Sequence, residues 1–314
     1  LFFMGAQSAF FGPLKFSILP QHLKENELVA GNGLVSAGTY IAILSGTLCG
    51  GLFILHPAGR AFISAGVVGV AIMGFISSLL IPKAEPSVPG MKIDWNPFRS
   101  TMDIISYVKP NVIVFRSILG ISWFWFLGSV FLSQFPTFSK DILGGNEEVS
   151  TLFLVVFSVG VGLGSTLCNR LLKGKVSARL VPFGCIGMTA ATLLLYFFSM
   201  TVPKTGELAG VMKFISEPGS WGVIFSFLLL AASGGIFSVP MYALMQSRSS
   251  DEHRARVVAC LNITDSFGMV LSAVFVALML MLKISIINIF LIIGIVNLLI
   301  TPLLSRLARD ENGH

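Results

Sequence analysis

The chain has 314 residues, 54% of them hydrophobic and 11% charged, with a net charge of +6 and a mean hydropathy of +0.85. Soluble domains carry about 25% charged residues, so this composition excludes an ordinary soluble enzyme and identifies an integral membrane protein, all-α in fold class. The pI near 9.3 reflects basic loops rather than a nucleic-acid surface, because charges are so few.

A span needs about 20 apolar residues, and on that rule nine stretches qualify: 1–19, 30–55, 61–81, 110–135, 149–169, 178–202, 220–246, 256–282 and 284–305. The first opens at Leu1 already inside an apolar run, so the chain reads as cut from something longer at its N-terminus. Two polar breaks stand out. Residues 82–109 are Pro-rich and then amphipathic from about Pro97, and read as a linker between bundles; residues 203–219 form the second break. The expected organisation is therefore 1–81 as the remainder of an N-terminal bundle of three spans, 82–109 as a cytoplasmic linker, and 110–314 as a six-span C-terminal bundle. If the chain starts outside, fourteen of the 21 Lys and Arg residues fall in inside loops and five in outside loops. That bias places the C-terminus in the cytoplasm.

Sliding the chain by 230 residues pairs Gly5 with Gly235, Ser8 with Ser238, Leu14 with Leu244, Asn32 with Asn262, Ser36 with Ser266 and Gly38 with Gly268. The matches are mostly small or polar and fall in two consecutive spans and their loop. Parallel six-span repeats build the two halves of major-facilitator transporters, so the expected fold is that helical bundle, with the nine spans equivalent to spans 4–12 of a twelve-span parent.

Few polar residues interrupt the spans, and each has a bland reading beside a functional one. Lys15 lies within "GAQSAFFGPLKFSILPQHL", with Gln7 and Ser8 two turns before it. It either faces a cavity or a partner, or snorkels to the nearby interface past Pro20. Asp265 is the only acid inside a span; it is an interhelical hydrogen-bond acceptor, a partner for Lys15 or Arg116, or a proton carrier. Asn32 and Asn262, each with a serine one turn on, form polar stripes that fit helix packing or a site. Arg116 sits two turns from the linker and suits snorkelling or a site. Gln134 and Gln246 are weaker candidates, Trp123 and Trp125 fall mid-span, and His56 and His253 lie at loop edges. Cys49, Cys168, Cys185 and Cys260 show no paired spacing and read as buried small residues. No phosphate-binding G-x-x-x-x-G-K-[ST] loop, acyltransferase H-x-x-x-x-D signature or metal-ligand cluster occurs, so neither an enzyme nor a cofactor site is expected in this chain.

The stretch "GPLKFSILPQHL" followed by "ELVAGNGLVSAGTYIAILSGTLCGG" resembles the fourth and fifth spans of the lysophospholipid transporter family within the major facilitator superfamily. "GGIFSVPMYALMQSRS" is similar to that family's tenth span, and "GSTLCNRLLKGKV" to a degenerate copy of the superfamily's G-x-x-x-D-R-x-G-R/K loop, with Asn169 displaced by one from the usual acid. The resemblance implies a transporter that moves lysophospholipids, lysophosphatidylethanolamine above all, across the bacterial inner membrane by alternating access. It further implies membrane lipids as surroundings and an acyltransferase, fused or separate, as partner. On that reading Lys15, Asn32, Asp265, Asn262, Arg116 and Gln7 are the substrate-binding or gating candidates. Two alternatives stand: a proton-coupled drug or small-solute exporter of the same superfamily, and a non-transporting membrane anchor for an acyltransferase.

Overall fold

Backbone groups within a bilayer must be satisfied inside the segment that crosses it, and this chain meets the requirement with helices. The structure, a computed structural model, describes residues 2–54, 56–84, 97–203, 207–250 and 252–312. Residues 85–96 of the linker and 204–206 of the second polar break lie outside the described residues, as does the side chain of Ser8. In chain order the helices are α1 (Phe2–Ser17), α2 (Leu19–His22), α3 (Leu28–Ile54), α4 (Gly59–Leu79), α5 (Pro97–Val108), α6 (Val112–Thr137), α7 (Glu147–Leu172), α8 (Val181–Ser199), α9 (Val211–Ser216), α10 (Pro218–Ser247), α11 (Arg254–Met281) and α12 (Ile286–Asn312). Seven of the described helices are long and apolar enough to cross a membrane, and the Ile286–Pro302 part of α12 is a shorter apolar one; α1 contributes 16 residues.

Local chemistry sets the ends. Asn111 caps α6 by accepting from the Val114 amide at 3.2 Å, and Asn146 caps α7 by accepting from the Glu148 amide at 2.9 Å, with Glu147 and Glu148 in the first turn favouring the positive pole. At the other end of α7 the chain turns through Lys173 at φ 51° and Gly174 at φ 74°. A Cβ on Gly174 would stand 2.6 Å from the Asn26 carbonyl oxygen, so this turn needs glycine both for its left-handed backbone and for its close approach to the 24–27 loop. Pro136 leads α6 into a π-helical turn at Phe138–Ile142, where the regular ladder is already interrupted. The second polar break contains α9, which the apolar pattern does not announce. It forms because Phe214 packs edge-on to Phe153, ring centroids 5.8 Å apart.

α6, α7, α8, α10, α11 and α12 share one core, dominated by phenylalanines such as Phe131, Phe135, Phe138, Phe153, Phe227 and Phe290. Small residues bring backbones together within it. Gly160 and Gly164 of α7 abut Ala231 and Ala232 of α10, and Gly184 of α8 abuts Phe237, the close packing that substitutes for a hydrophobic driving force between helices in lipid. α3 packs on α7 and α10, α1 packs on α11, and α4 packs on α3. Around α4 the apolar side chains Val67, Val70, Met73, Phe75 and Leu79 are all exposed, which only a hydrocarbon or further-helix surrounding makes favourable. The 230-residue shift coincides with helix ends: Ser17, the last residue of α1, falls on Ser247, the last of α10. Under the same shift the α3–α10 contact is equivalent to the α11–α1 contact. α5 docks beside the α10–α11 turn, the Tyr107 ring lying 4.1 Å from that of His253, and its hydroxyl is 2.9 Å from that of Ser250.

Candidate functional site

Lys15 occupies the last turn of α1, yet its ammonium points away from that helix end. Its Nζ donates to Thr39 Oγ1 at 3.4 Å. Thr39 is eleven residues past Leu28, the first residue of α3, or about 16 Å along the axis at 1.5 Å per residue. The cation thus sits beside the middle of α3, half-buried. Its Nζ also lies 5.1 Å from the centroid of the Phe16 ring, within cation–π reach. Phe16 in turn stacks on Tyr242 of α10, centroids 4.7 Å apart and planes 10° off parallel, and the Tyr242 hydroxyl accepts from Trp125 Nε1 at 3.0 Å. A single cation is therefore carried on an aromatic ladder running from α1 through α10 to α6.

Two turns nearer the start of α3, and one turn nearer the end of α10, lies a buried amide pair. Asn32 Nδ2 donates to Gln246 Oε1 at 2.6 Å, and Gln246 Nε2 donates back to Asn32 Oδ1 at 2.9 Å. The remaining protons go to Leu28 O at 2.9 Å and Phe16 O at 3.1 Å. Both side chains are 0% exposed, and every polar atom of the pair is satisfied, as burial demands. Sequence reasoning ranks Gln246 low; the structure makes it the residue that ties α1 and α3 to α10. The signal that could have found it is the repeat, which sets Gln246 opposite Phe16 and one residue beyond the Lys15 equivalent, Met245.

Across the equivalent contact, Asn262 of α11 lies against α1 beside Gly12, where an added Cβ would meet its Nδ2 at 3.3 Å. Asp265, one turn on, is buried and accepts from the Ser122 hydroxyl at 2.6 Å, so it bonds α11 to α6 rather than to Lys15. Arg116 is half-buried, five residues past the Asn111 cap. Gln7 is exposed on α1 and is not drawn in with the others. Trp123, read as mid-span packing, donates to Asn297 Oδ1 at 2.8 Å. Asn297 also donates to the Cys185 carbonyl at 2.8 Å and Thr189 Oγ1 at 3.0 Å, a buried polar knot between α6, α8 and α12 that the sequence reading passes over. A groove of about 570 Å³ opens between α3 and α7, walled by Ala37, Ile41, Leu44 and Leu163 with Thr166 and Arg170 at one end. The cysteines are free thiols, and no metal-holding cluster occurs among the described residues.

Residues 1–212 match the model of the Major Facilitator Superfamily. This chain belongs to that superfamily. Among its relatives, the lysophospholipid transporter LplT of Pectobacterium carotovorum is 26% identical over 294 residues, 90% of this chain and 65% of that protein. The LplT of Cronobacter sakazakii is 26% identical over 272 residues, 85% of this chain and 63% of that protein. The LplT of Escherichia coli O157:H7 is 24% identical over 274 residues, again 85% and 63%. The chain spans just under two thirds of the length of these curated relatives. In major-facilitator folds built from parallel repeats, substrate sites lie near the bilayer midplane where the repeats meet. The Phe16–Tyr242 stack crosses the contact between the α1–α3 unit and its α10–α11 counterpart, and the Lys15–Thr39 contact lies beside it within the α1–α3 unit.

Proposed function

We propose that this chain is the greater part of a lysophospholipid transporter, moving lysophosphatidylethanolamine-type lipids across a bacterial inner membrane by alternating access. Residues 1–81 and 110–314 are then parts of its two bundles, residues 82–109 the cytoplasmic linker, and the C-terminus is cytoplasmic. The observation that carries the reading is a half-buried cation, Lys15, held at mid-helix depth beside the seam between repeats, in a chain whose relatives bear that transport activity in their names. An ammonium there attracts a phosphate as a point charge, while the apolar walls beside it suit an acyl chain. Asn262 and Asp265 of α11, Asn32 of α3 and Arg116 of α6 complete the polar surroundings of the headgroup path; exposed Gln7 lies at its outer approach. The product lysolipid becomes substrate for an acyltransferase on the cytoplasmic face.

The test is flipping of a labelled lysophosphatidylethanolamine by the full protein that contains this chain, reconstituted in vesicles. A charge-assisted bond to a phosphate contributes about 1.5–3 kcal/mol, so Lys15→Ala should slow flipping by about tenfold to a hundredfold, with Lys15→Arg retaining more than Lys15→Ala. Wild-type flipping by Lys15→Ala would remove Lys15 from the site, and a full protein that flips no lysolipid would overturn the substrate.

A further inference from the structure

Asn32 and Gln246 are not an isolated bond. One turn away from them along α3 and α10 lies a small apolar cluster separate from the main core: Leu28 and Val29 of α3, Cys168 and Leu172 of α7, Val239 and Ala243 of α10. All six are buried. The cluster and the amide pair share the α3–α10 seam, Asn32 three residues past Val29 and Gln246 three past Ala243. They lie toward the ends of these helices that meet the 18–27 and 173–180 turns. Together they form an apolar plug and a polar clasp at one level of the α3–α7–α10 packing, toward the same end of the three helices.

The same seam carries polar groups that closure leaves without partners. Ser165 Oγ and Asn169 Oδ1, one turn apart on α7, are buried with no hydrogen-bond partner among the described residues. Ser165 faces both α3, at Gly33, and α10, at Gly235. Orphaned buried acceptors disfavour the state that buries them, and opening this end to water would satisfy them. The closed end is thus held by a fully satisfied amide pair and opposed by unsatisfied groups beside it, the balance a gate requires.

We propose that the reciprocal Asn32–Gln246 pair is the latch of this gate, and that Gln246 couples the latch to the transport site through Phe16. The coupling is geometric. Gln246 Nε2 holds the Phe16 carbonyl, the Phe16 ring stacks on Tyr242, and the adjacent residue carries the ammonium of Lys15. A displacement of Lys15 on meeting an anionic headgroup moves the group that Gln246 grips. This assignment rests on the alternating-access reading above. A latch of two neutral amides, unlike an ion pair, involves no group whose charge changes with pH.

Cys168 is a built-in reporter, since it is 0% exposed within the plug and its thiol faces the Ile236 carbonyl at 4.0 Å. The experiment uses the full protein with Cys49, Cys185 and Cys260 replaced by serine, in membrane vesicles of both orientations, and measures labelling of Cys168 by an impermeant maleimide. Gln246→Met keeps the volume while removing the bonds; it should label roughly tenfold faster than wild type or more, from the plug side only. Exchanging the two amides, Asn32→Gln with Gln246→Asn, should restore slow labelling in part. Labelling of Gln246→Met at the wild-type rate overturns the latch, as does an exchange variant that labels as fast as Gln246→Met. A Gln246→Met protein that does not purify as a single species is replaced by Asn32→Leu, read against the same outcomes. The two proposals fail separately. If Gln246→Met opens the plug while added lysophosphatidylethanolamine leaves wild-type labelling unchanged, the latch stands and the substrate falls.

Discussion

Asp265 is a side chain whose packing role and proposed transport role can be separated by substitution. Its Oδ1 accepts from Ser122 across the α6–α11 contact, a bond that an asparagine can reproduce, whereas a negative charge it cannot. Asp265→Asn should therefore fold and resist heat like wild type, while Asp265→Ala, which removes the acceptor, should lose about 0.6–2 kcal/mol, the range for interhelical hydrogen bonds in membranes. Transport separates the variants differently. If the carboxylate faces the ammonium of an ethanolamine headgroup, Asp265→Asn should slow flipping of lysophosphatidylethanolamine several-fold more than that of lysophosphatidylglycerol, whose headgroup has no cation. Equal effects on both lipids would leave Asp265 with the Ser122 bond alone. Lys15 and Asp265 are legible in the sequence because a lone charge within an apolar run is costly and must be accommodated. Gln246 and Asn297 are not, because a neutral amide carries no charge that must be accommodated and is commonly absorbed in helix–helix packing. Their partners Asn32 and Cys185 lie 214 and 112 residues away, and no local pattern records which helix will arrive beside them.

Helices were the most readable level, and the reason is physical: hydrocarbon leaves the backbone no other choice, so an apolar run fixes both type and approximate ends. The run expected at 220–246 is α10 at Pro218–Ser247, and that expected at 30–55 is α3 at Leu28–Ile54. α9 escaped because it is only six residues long and is held by Phe214, whose burial depends on a distant Phe153, with Val211 and Ile215 beside it. The α7–α8 turn was read as a degenerate motif, and its geometry shows what remains of it. Lys173 and Gly174 both take left-handed backbone, and Gly174 approaches Asn26 too closely for any side chain. Gly174→Ala should cost about 1–2 kcal/mol from backbone conformation, before any displacement of the 24–27 loop. Measured by thermal unfolding of the purified protein, the midpoint should fall by roughly 2–8 °C. A midpoint equal to wild type would mean that the turn relaxes without strain and that its approach to Asn26 contributes nothing.

At the scale of the whole molecule, the sidedness of the gate follows from the distribution of charge. The turns next to the Asn32–Gln246 latch carry Lys24, Lys173, Lys175, Arg179 and Arg248, whereas the opposite end carries Arg60, Lys140, Lys213 and Lys283 among the described residues. With the linker basic residues and the C-terminal ones added to the first set, the positive-inside bias orients the latched end toward the cytoplasm. The structure would then be a state closed to the cytoplasm, with Lys15 reached from the other side. Two exposed positions decide it. Lys175→Cys lies in the α7–α8 turn beside the plug, and Arg60→Cys at the start of α4 on the opposite face. With the native cysteines replaced by serine, Arg60→Cys should react with an impermeant maleimide in spheroplasts, and Lys175→Cys only in inverted vesicles. The reverse pattern would turn the molecule over and make the latch a gate to the periplasm. Labelling of both from one side would be incompatible with the odd number of crossings between them, namely α4, α6 and α7, and would overturn the assignment of these helices as spans.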